Sequence, residues 1–381
     1  MGGHAFKNVL VSRIELAQYN KVKLDLIEKL GLILKLEFLI DVPNKTNFGD
    51  IDILYQNINE VNIKQILREI YNPIEIVSNG DVCSFSYQIN DNGDIKYFQV
   101  DLIKCINFEM SKFYFSYGDL GGIIGRMTQY IGLKFGSLGL WICPNSQTIN
   151  NFLHLEQNYK LKINLETILK NQLKDKSNYN MIINAQYSNI DLTSSPQIIC
   201  EYLNLDWEEW EKGFVTTEQI FKWIIKSKYF NLDQFRAMDY SYRQRAKKRP
   251  MFQDFLQYIF RDESEFTIEN CNSKKYFNTN LQLESIEYFT KSKELENMII
   301  QITYNLIRKY KFNGFKLIEL GIIDKQIPIC IKEFKKKLGF DNNTNNFDEF
   351  NNWLDLNDAT TIDNTLRDFV NQYLKTNVFH T

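Results

Sequence analysis

Histidine and proline are scarce in this chain, with three and six among 381 residues, and no two cysteines stand in a C-x-x-C pair. The cysteines are scattered at Cys83, Cys105, Cys143, Cys200, Cys271 and Cys330, and the histidines at His4, His154 and His380. That spacing offers no zinc site. No apolar run approaches the roughly 20 residues that span a bilayer, and no charged segment followed by an apolar one opens the chain, so a soluble intracellular protein is expected. Neither sign of charge dominates. The formal net charge is −2, and any contact with nucleic acid has to come from a local patch. Alanine is sparse beside Asn, Lys, Ile, Tyr and Phe, a bias of A+T-rich genomes that carries no chemistry.

What stands out against this background is Asn47-Phe48-Gly49-Asp50-Ile51-Asp52-Ile53-Leu54, answered by Gln99-Val100-Asp101-Leu102-Ile103. In an extended strand alternate side chains share a face, so Asp50 and Asp52 project to one side while Ile51 and Ile53 bury on the other. Aspartate is depleted in strands because crowding and desolvating its charge is costly. A divalent cation gives the pair a reason. A solvated polar face on an edge strand equally accounts for the pair alone; Asp101 lies in a segment too apolar for a surface strand, and on a neighbouring strand of the same sheet it would complete three oxygen donors suited to Mg²⁺ (or Mn²⁺) and to the two-metal clamp of nucleotidyl transfer.

With Gly2-Gly3 upstream, these motifs resemble the DNA polymerase β-type nucleotidyltransferase superfamily: a Gly-Gly or Gly-Ser turn, a D-x-D strand beginning here at Gly49-Asp50, and a third Asp between apolar residues. The match covers roughly the first third of the chain. Gly2 follows Met1 directly, whereas the family's turn follows a strand; either that strand is missing or this pair is not the equivalent one. A fainter similarity lies at Asn313-Gly314-Phe315-Lys316-Leu317-Ile318-Glu319-Leu320-Gly321-Ile322. It is similar to a segment of the helical body in tRNA CCA-adding enzymes and bacterial poly(A) polymerases, and equally to ordinary helix-turn-helix packing.

The fold expected is α+β: a mixed-sheet nucleotidyltransferase domain followed by an all-helical body. Residues 1–145 alternate helix and strand signals, with strands over Ile74 to Ile89 and Asp94 to Cys105 separated by a turn at Asn90-Asp91-Asn92-Gly93. Residues 146–193 are polar and read as a connecting or insertion segment with one strand near Met181 to Ala185. Residues 194–381 read as the helical body, opened by Ser194 or Ser195 capping a helix with Pro196 in its first turn, then by Thr216 or Thr217 capping the next.

Asp50, Asp52 and Asp101 are therefore the expected catalytic and metal-binding residues, acting on an NTP, with ATP or CTP expected. Lys45, Thr46 and Asn47 form the polar approach to the metal strand and are candidates for the triphosphate, although an exposed loop lysine also accounts for Lys45. Gly2 and Gly3, as the family's turn, would let backbone N–H groups approach phosphates. Arg13 and Arg126 are candidates for charge neutralisation; the glycines beside Arg126, at Gly121-Gly122 and Gly125, suit close helix packing or a ligand, with packing preferred. The cluster Tyr242, Arg243, Arg245, Lys247, Lys248 and Arg249 combines basic charge with an aromatic, which suits an RNA backbone as well as a solvated face. Lys335-Lys336-Lys337 reads as a solvated face. An RNA 3′ end is the acceptor the resemblance implies, with a protein side chain or small molecule, and a non-catalytic RNA- or protein-binding fold, as the alternatives. The RNA patch is expected in a different domain from the triphosphate contacts.

Overall fold

The computed structural model describes residues 5–57, 60–91, 93–173, 179–238, 244, 247–261, 269–270, 279–340 and 346–377. The chain forms two compact units, Met1–Cys143 with Asp191–Gln282 and Pro144–Ile190 with Leu283–Thr381. This corrects the expected boundaries. The first stretch of the supposed helical body belongs with the sheet, and the supposed connecting segment belongs with the C-terminal helices.

The first unit opens with β1 (Ile14–Glu15) and α1 (Leu16–Leu30), followed by β2 (Lys35–Phe38), β3 (Asn47–Phe48) and β4 (Asp50–Gln56). Helix α2 (Ile63–Tyr71) then leads to β5 (Ile76–Asn79), β6 (Val82–Asp91) and β7 (Asp94–Lys104). Five strands form one mixed sheet in the order β2-β4-β7-β6-β5; β4 and β7 are parallel and the other pairs antiparallel. Helix α1 buries Tyr19, Val22, Leu26 and Leu30, a once-per-turn stripe that joins Ile51, Ile53, Phe85, Phe98, Val100 and Leu102 in one core. Asn62 caps α2 by accepting from the Gln65 N–H at 3.2 Å, and Asn72 ends it in the left-handed region.

The expected strand over Ile74 to Ile89 is in fact two. Gly80, at φ +58°, turns the chain between β5 and β6, because Gly80-Asp81 is a two-residue hairpin signal inside an otherwise β-rich run. The second hairpin falls at the expected turn, where Gly93 takes φ +98° and its N–H donates to Asn90 Oδ1 at 3.1 Å. Beyond the sheet lie α3 (Phe108–Phe115) and α4 (Leu120–Tyr130), then the hairpin of β8 (Leu133–Gly136) and β9 (Gly139–Ile142). With Ile190–Thr193 as β10, the hairpin makes a three-stranded sheet. Ser195 caps the helix Pro196–Leu203, and Thr216 with Gln219 forms a reciprocal capping box on Thr217–Ile225. The helix Pro250–Ile259 takes Asp119 as a distant cap: the Phe252 N–H donates to Asp119 Oδ2 at 3.3 Å.

The second unit is helical. Residues 146–193 carry the helices Ser146–His154, Tyr159–Leu173 and Asn180–Ile183, so the strand expected near Met181 is helix and strand pairing begins only at Ile190. Leu165, Leu169 and Leu173 bury one face of Tyr159–Leu173, which packs on the helix Ser292–Lys311. Leu317, Cys330, Phe334, Phe350, Leu354, Leu366 and Phe369 form the remaining core. Asn313 caps Gly314–Glu319, and Gly321, at φ +96°, ends that turn before Ile327–Lys337. Lys335 is more than a solvated residue: its ammonium stands 4.6 Å from the centre of the Phe350 ring. Among the described residues no helix is long and apolar enough to cross a membrane.

Candidate active site

The parallel pairing of β4 with β7 sets Asp52 directly beside Asp101 and Asp50 beside Gln99. Ile51 and Ile53 anchor the opposite face of β4 in the core, at 1% and 0% exposure, so the carboxylates have no freedom to turn inward. One oxygen from each of Asp50, Asp52 and Asp101 lies within 4.8 Å of the others. Such a grouping could hold a divalent cation.

Its electrostatics follow from crowding. Burial, then the charges of Asp50 and Asp101, push the Asp52 carboxyl up to about 8, with Lys45 opposing them. Asp101 is also raised by burial, which outweighs the favourable influence of Ser84 and Gln99 on its charged form. Its Oδ2 accepts from Gln99 Nε2 at 2.8 Å, whereas its buried Oδ1 has no hydrogen-bond partner among the described residues. A buried carboxylate oxygen left unpaired is costly, and a cation between the three acids would satisfy it while relieving their repulsion. The donor set, all carboxylate oxygen, fits Mg²⁺ or Mn²⁺.

No family model matches this chain, and no curated protein does.

The surroundings separate the other expected residues. Arg13 donates from Nη2 to the Asn47 carbonyl at 2.8 Å and from Nε to Asn47 Oδ1, so Asn47 holds Arg13 instead of standing ready for a ligand. Lys45 pairs with Asp41 at 2.9 Å and lies 4.7 Å from the centre of the Phe48 ring. Thr46 is exposed in the loop before β3, and Gly49 is buried at the bend between β3 and β4. Arg13, Lys45, Asp50, Thr217, Lys248 and Arg249 share one cavity of about 360 Å³.

Arg126 is a correction. It is buried, and its guanidinium donates to the Gln234 carbonyl, at 2.8 Å from Nε, and to Gln129 Oε1 at 2.8 Å, which ties α4 to the helix Leu232–Arg236. A cation so engaged holds two helices together. Gly2, Gly3, Tyr242, Arg243 and Arg245 lie outside the described residues, while Lys247 and Lys248 are exposed. Arg249 stands 3.8 Å from Asp119 and, with Lys248, borders the cavity that contains Asp50. The expected separation of these cations from the metal strand is therefore not kept.

Sequence reasoning missed Gln99, Tyr19 and Asp41. Gln99 is 5% exposed; besides orienting Asp101, its Oε1 accepts from the Ala5 N–H at 3.0 Å. A buried glutamine two residues before a strand aspartate, on the same face, was the available signal. Tyr19 donates to Asp41 Oδ2 at 2.8 Å and stacks on Phe48 at 3.8 Å, and burial with the nearby acids raises its phenol far above the usual range. Asp41 thereby joins Tyr19 to Lys45, and the Tyr19 contact, unlike the local Lys45 pair, forms only through folding.

Proposed function

We propose that this protein is a metal-dependent nucleotidyltransferase, moving a nucleoside monophosphate from an NTP to a hydroxyl acceptor. The observation that carries the reading is the three-carboxylate cluster on adjacent parallel strands, one of whose members, Asp101, has a buried oxygen without a hydrogen-bond partner among the described residues. Asp50, Asp52 and Asp101 would hold Mg²⁺ or Mn²⁺, which supplies charge neutralisation at the α-phosphate and a lowered pKa for the attacking hydroxyl. In the transfer the acceptor oxygen bonds to the α-phosphorus as the bond to pyrophosphate breaks, and the hydroxyl proton passes to Asp101 or to solvent. Arg13, fixed by Asn47, and the pair Lys248 and Arg249 place positive charge beside Asp50, where a triphosphate would need it. An RNA 3′ end is the acceptor this reading favours.

The test is direct. Purified protein is incubated with Mg²⁺ or Mn²⁺, each labelled NTP in turn, and a mixed RNA pool, with Asp52→Asn as the control. Label in RNA that disappears in Asp52→Asn supports the reading; label in protein moves the acceptor to a side chain. No transfer to any acceptor by the wild-type protein defeats it.

A further inference from the structure

Beside the metal-side cavity lies a second one of about 510 Å³, and Arg249 lines both. Its walls are aromatic, from Tyr114, Phe135, Trp141 and Phe252, and its floor is α4. The three glycines of that helix have different jobs. A Cβ on Gly121 would stand 2.1 Å from the Tyr114 carbonyl oxygen, so that glycine serves packing. A Cβ on Gly122 would stand 2.6 Å from Arg249 Nη1, so that glycine lets the guanidinium lie against the helix. A Cβ on Gly125 would meet nothing nearer than the Phe135 carbonyl oxygen at 3.9 Å, and that glycine leaves open space in the cavity.

The polar side chains of this cavity are chiefly donors. Lys134 and Arg249 can only donate. Gln129 already accepts from Arg126 through Oε1, which leaves its amide N–H groups. Among the described residues no carboxylate lines the space. Aromatic walls suit a flat ring, and a donor-rich edge suits a ring with carbonyl oxygens on its rim.

We infer that this cavity is a nucleobase site that selects uracil, which carries carbonyl oxygens at both the 2- and 4-positions, over cytosine, which carries an amino donor at the 4-position. Arg249 spans from the base to the phosphates beside Asp50. The inference rests on the nucleotidyltransferase reading and adds to it the class of base. The same chemistry can come from the incoming nucleotide or from the last base of an RNA acceptor, and the experiment separates them.

Affinities are measured by calorimetry in Mg²⁺ for UTP, CTP, inorganic tripolyphosphate, oligouridylate and oligocytidylate. Wild-type protein is expected to bind the uracil ligand on the order of tenfold more tightly than its cytosine counterpart. Gly125→Leu fills the cavity. A loss on the order of tenfold or more for UTP with tripolyphosphate unchanged assigns the site to the incoming base. The same loss for oligouridylate alone assigns it to the acceptor. Lys134→Met, at an exposed position, is expected to erase the uracil preference and keeps the inference testable should Gly125→Leu fail to fold. Unchanged binding of all ligands in Gly125→Leu, an equal loss for all of them, or no uracil preference in the wild type overturns the base site while leaving the nucleotidyltransferase reading intact. A wild-type protein that binds none of these ligands removes both.

Discussion

At Asp52 the folded protein raises a carboxyl to about 8 that in the unfolded chain titrates near 3.8. The neutral form is thus favoured by folding, so the contribution to stability is fully present below about pH 4 and is lost as pH rises toward 8, amounting to a few kcal/mol in order of magnitude. Without metal, the wild-type protein should become easier to unfold across that window. Asp52→Asn, which is neutral throughout, should show a flatter profile and exceed the wild type above about pH 8, while being inactive. Urea unfolding in EDTA at several pH values checks this. Added Mg²⁺ or Mn²⁺ should restore stability to the wild type, most strongly at the alkaline end, and do little for the variant; identical pH profiles for the two proteins would remove Asp52 from the cluster's electrostatics.

At the scale of elements, the start of the helix Pro250–Ile259 brings cations to the strand that carries Asp50 and Asp52. Asp119 receives the Phe252 N–H and lies against Arg249, which places Lys248 and Arg249 at the cavity of Asp50. Lys248→Ala should therefore raise KM for NTP several-fold with kcat nearly unchanged, as expected when a contact holds ground and transition states alike. Steady-state kinetics with RNA saturating decide it, and an unchanged KM for NTP would return Lys248 to a solvated face. Elements with local chemical signals were legible in the sequence: the β4 alternation, the Asn90 to Gly93 turn, and the Ser195 and Thr216 caps. Tyr159–Leu173 was not, because a helix that buries one leucine per turn among Lys, Asn and Glu looks polar until Ser292–Lys311 packs against it. Of the candidate site, Asp50 and Asp52 were legible because strand periodicity acts over a few residues, and Asp101 because a single acid among apolar strand residues stands out. Arg126 was misread because its partner, the Gln234 carbonyl, is distant in sequence and invisible to any local pattern.

For the whole molecule the consequential fact is that neither unit is a continuous stretch of chain. Residues 194–381, a natural fragment on the sequence boundaries, contain the end of one unit and most of the other. That fragment lacks Tyr159–Leu173, whose Leu165, Leu169 and Leu173 each bury a side chain worth about 1.5–3 kcal/mol. It should lose cooperative thermal unfolding and bind a hydrophobic dye, whereas the full chain melts cooperatively. A fragment that melts sharply with no dye binding would refute the interleaved arrangement.

The parallel pairing of β4 and β7 also bears on how the protein reaches its native state. Asp50 and Asp52 precede α2 and the β5–β6 hairpin, and Asp101 follows them, so the three oxygens meet only after a long chain segment has closed. Such non-local closure is characteristically late and slow. A cation that needs all three carboxylates has nothing to grip in the early chain and acts as a latch on a sheet already assembled. In stopped-flow experiments it should slow unfolding far more than it speeds refolding.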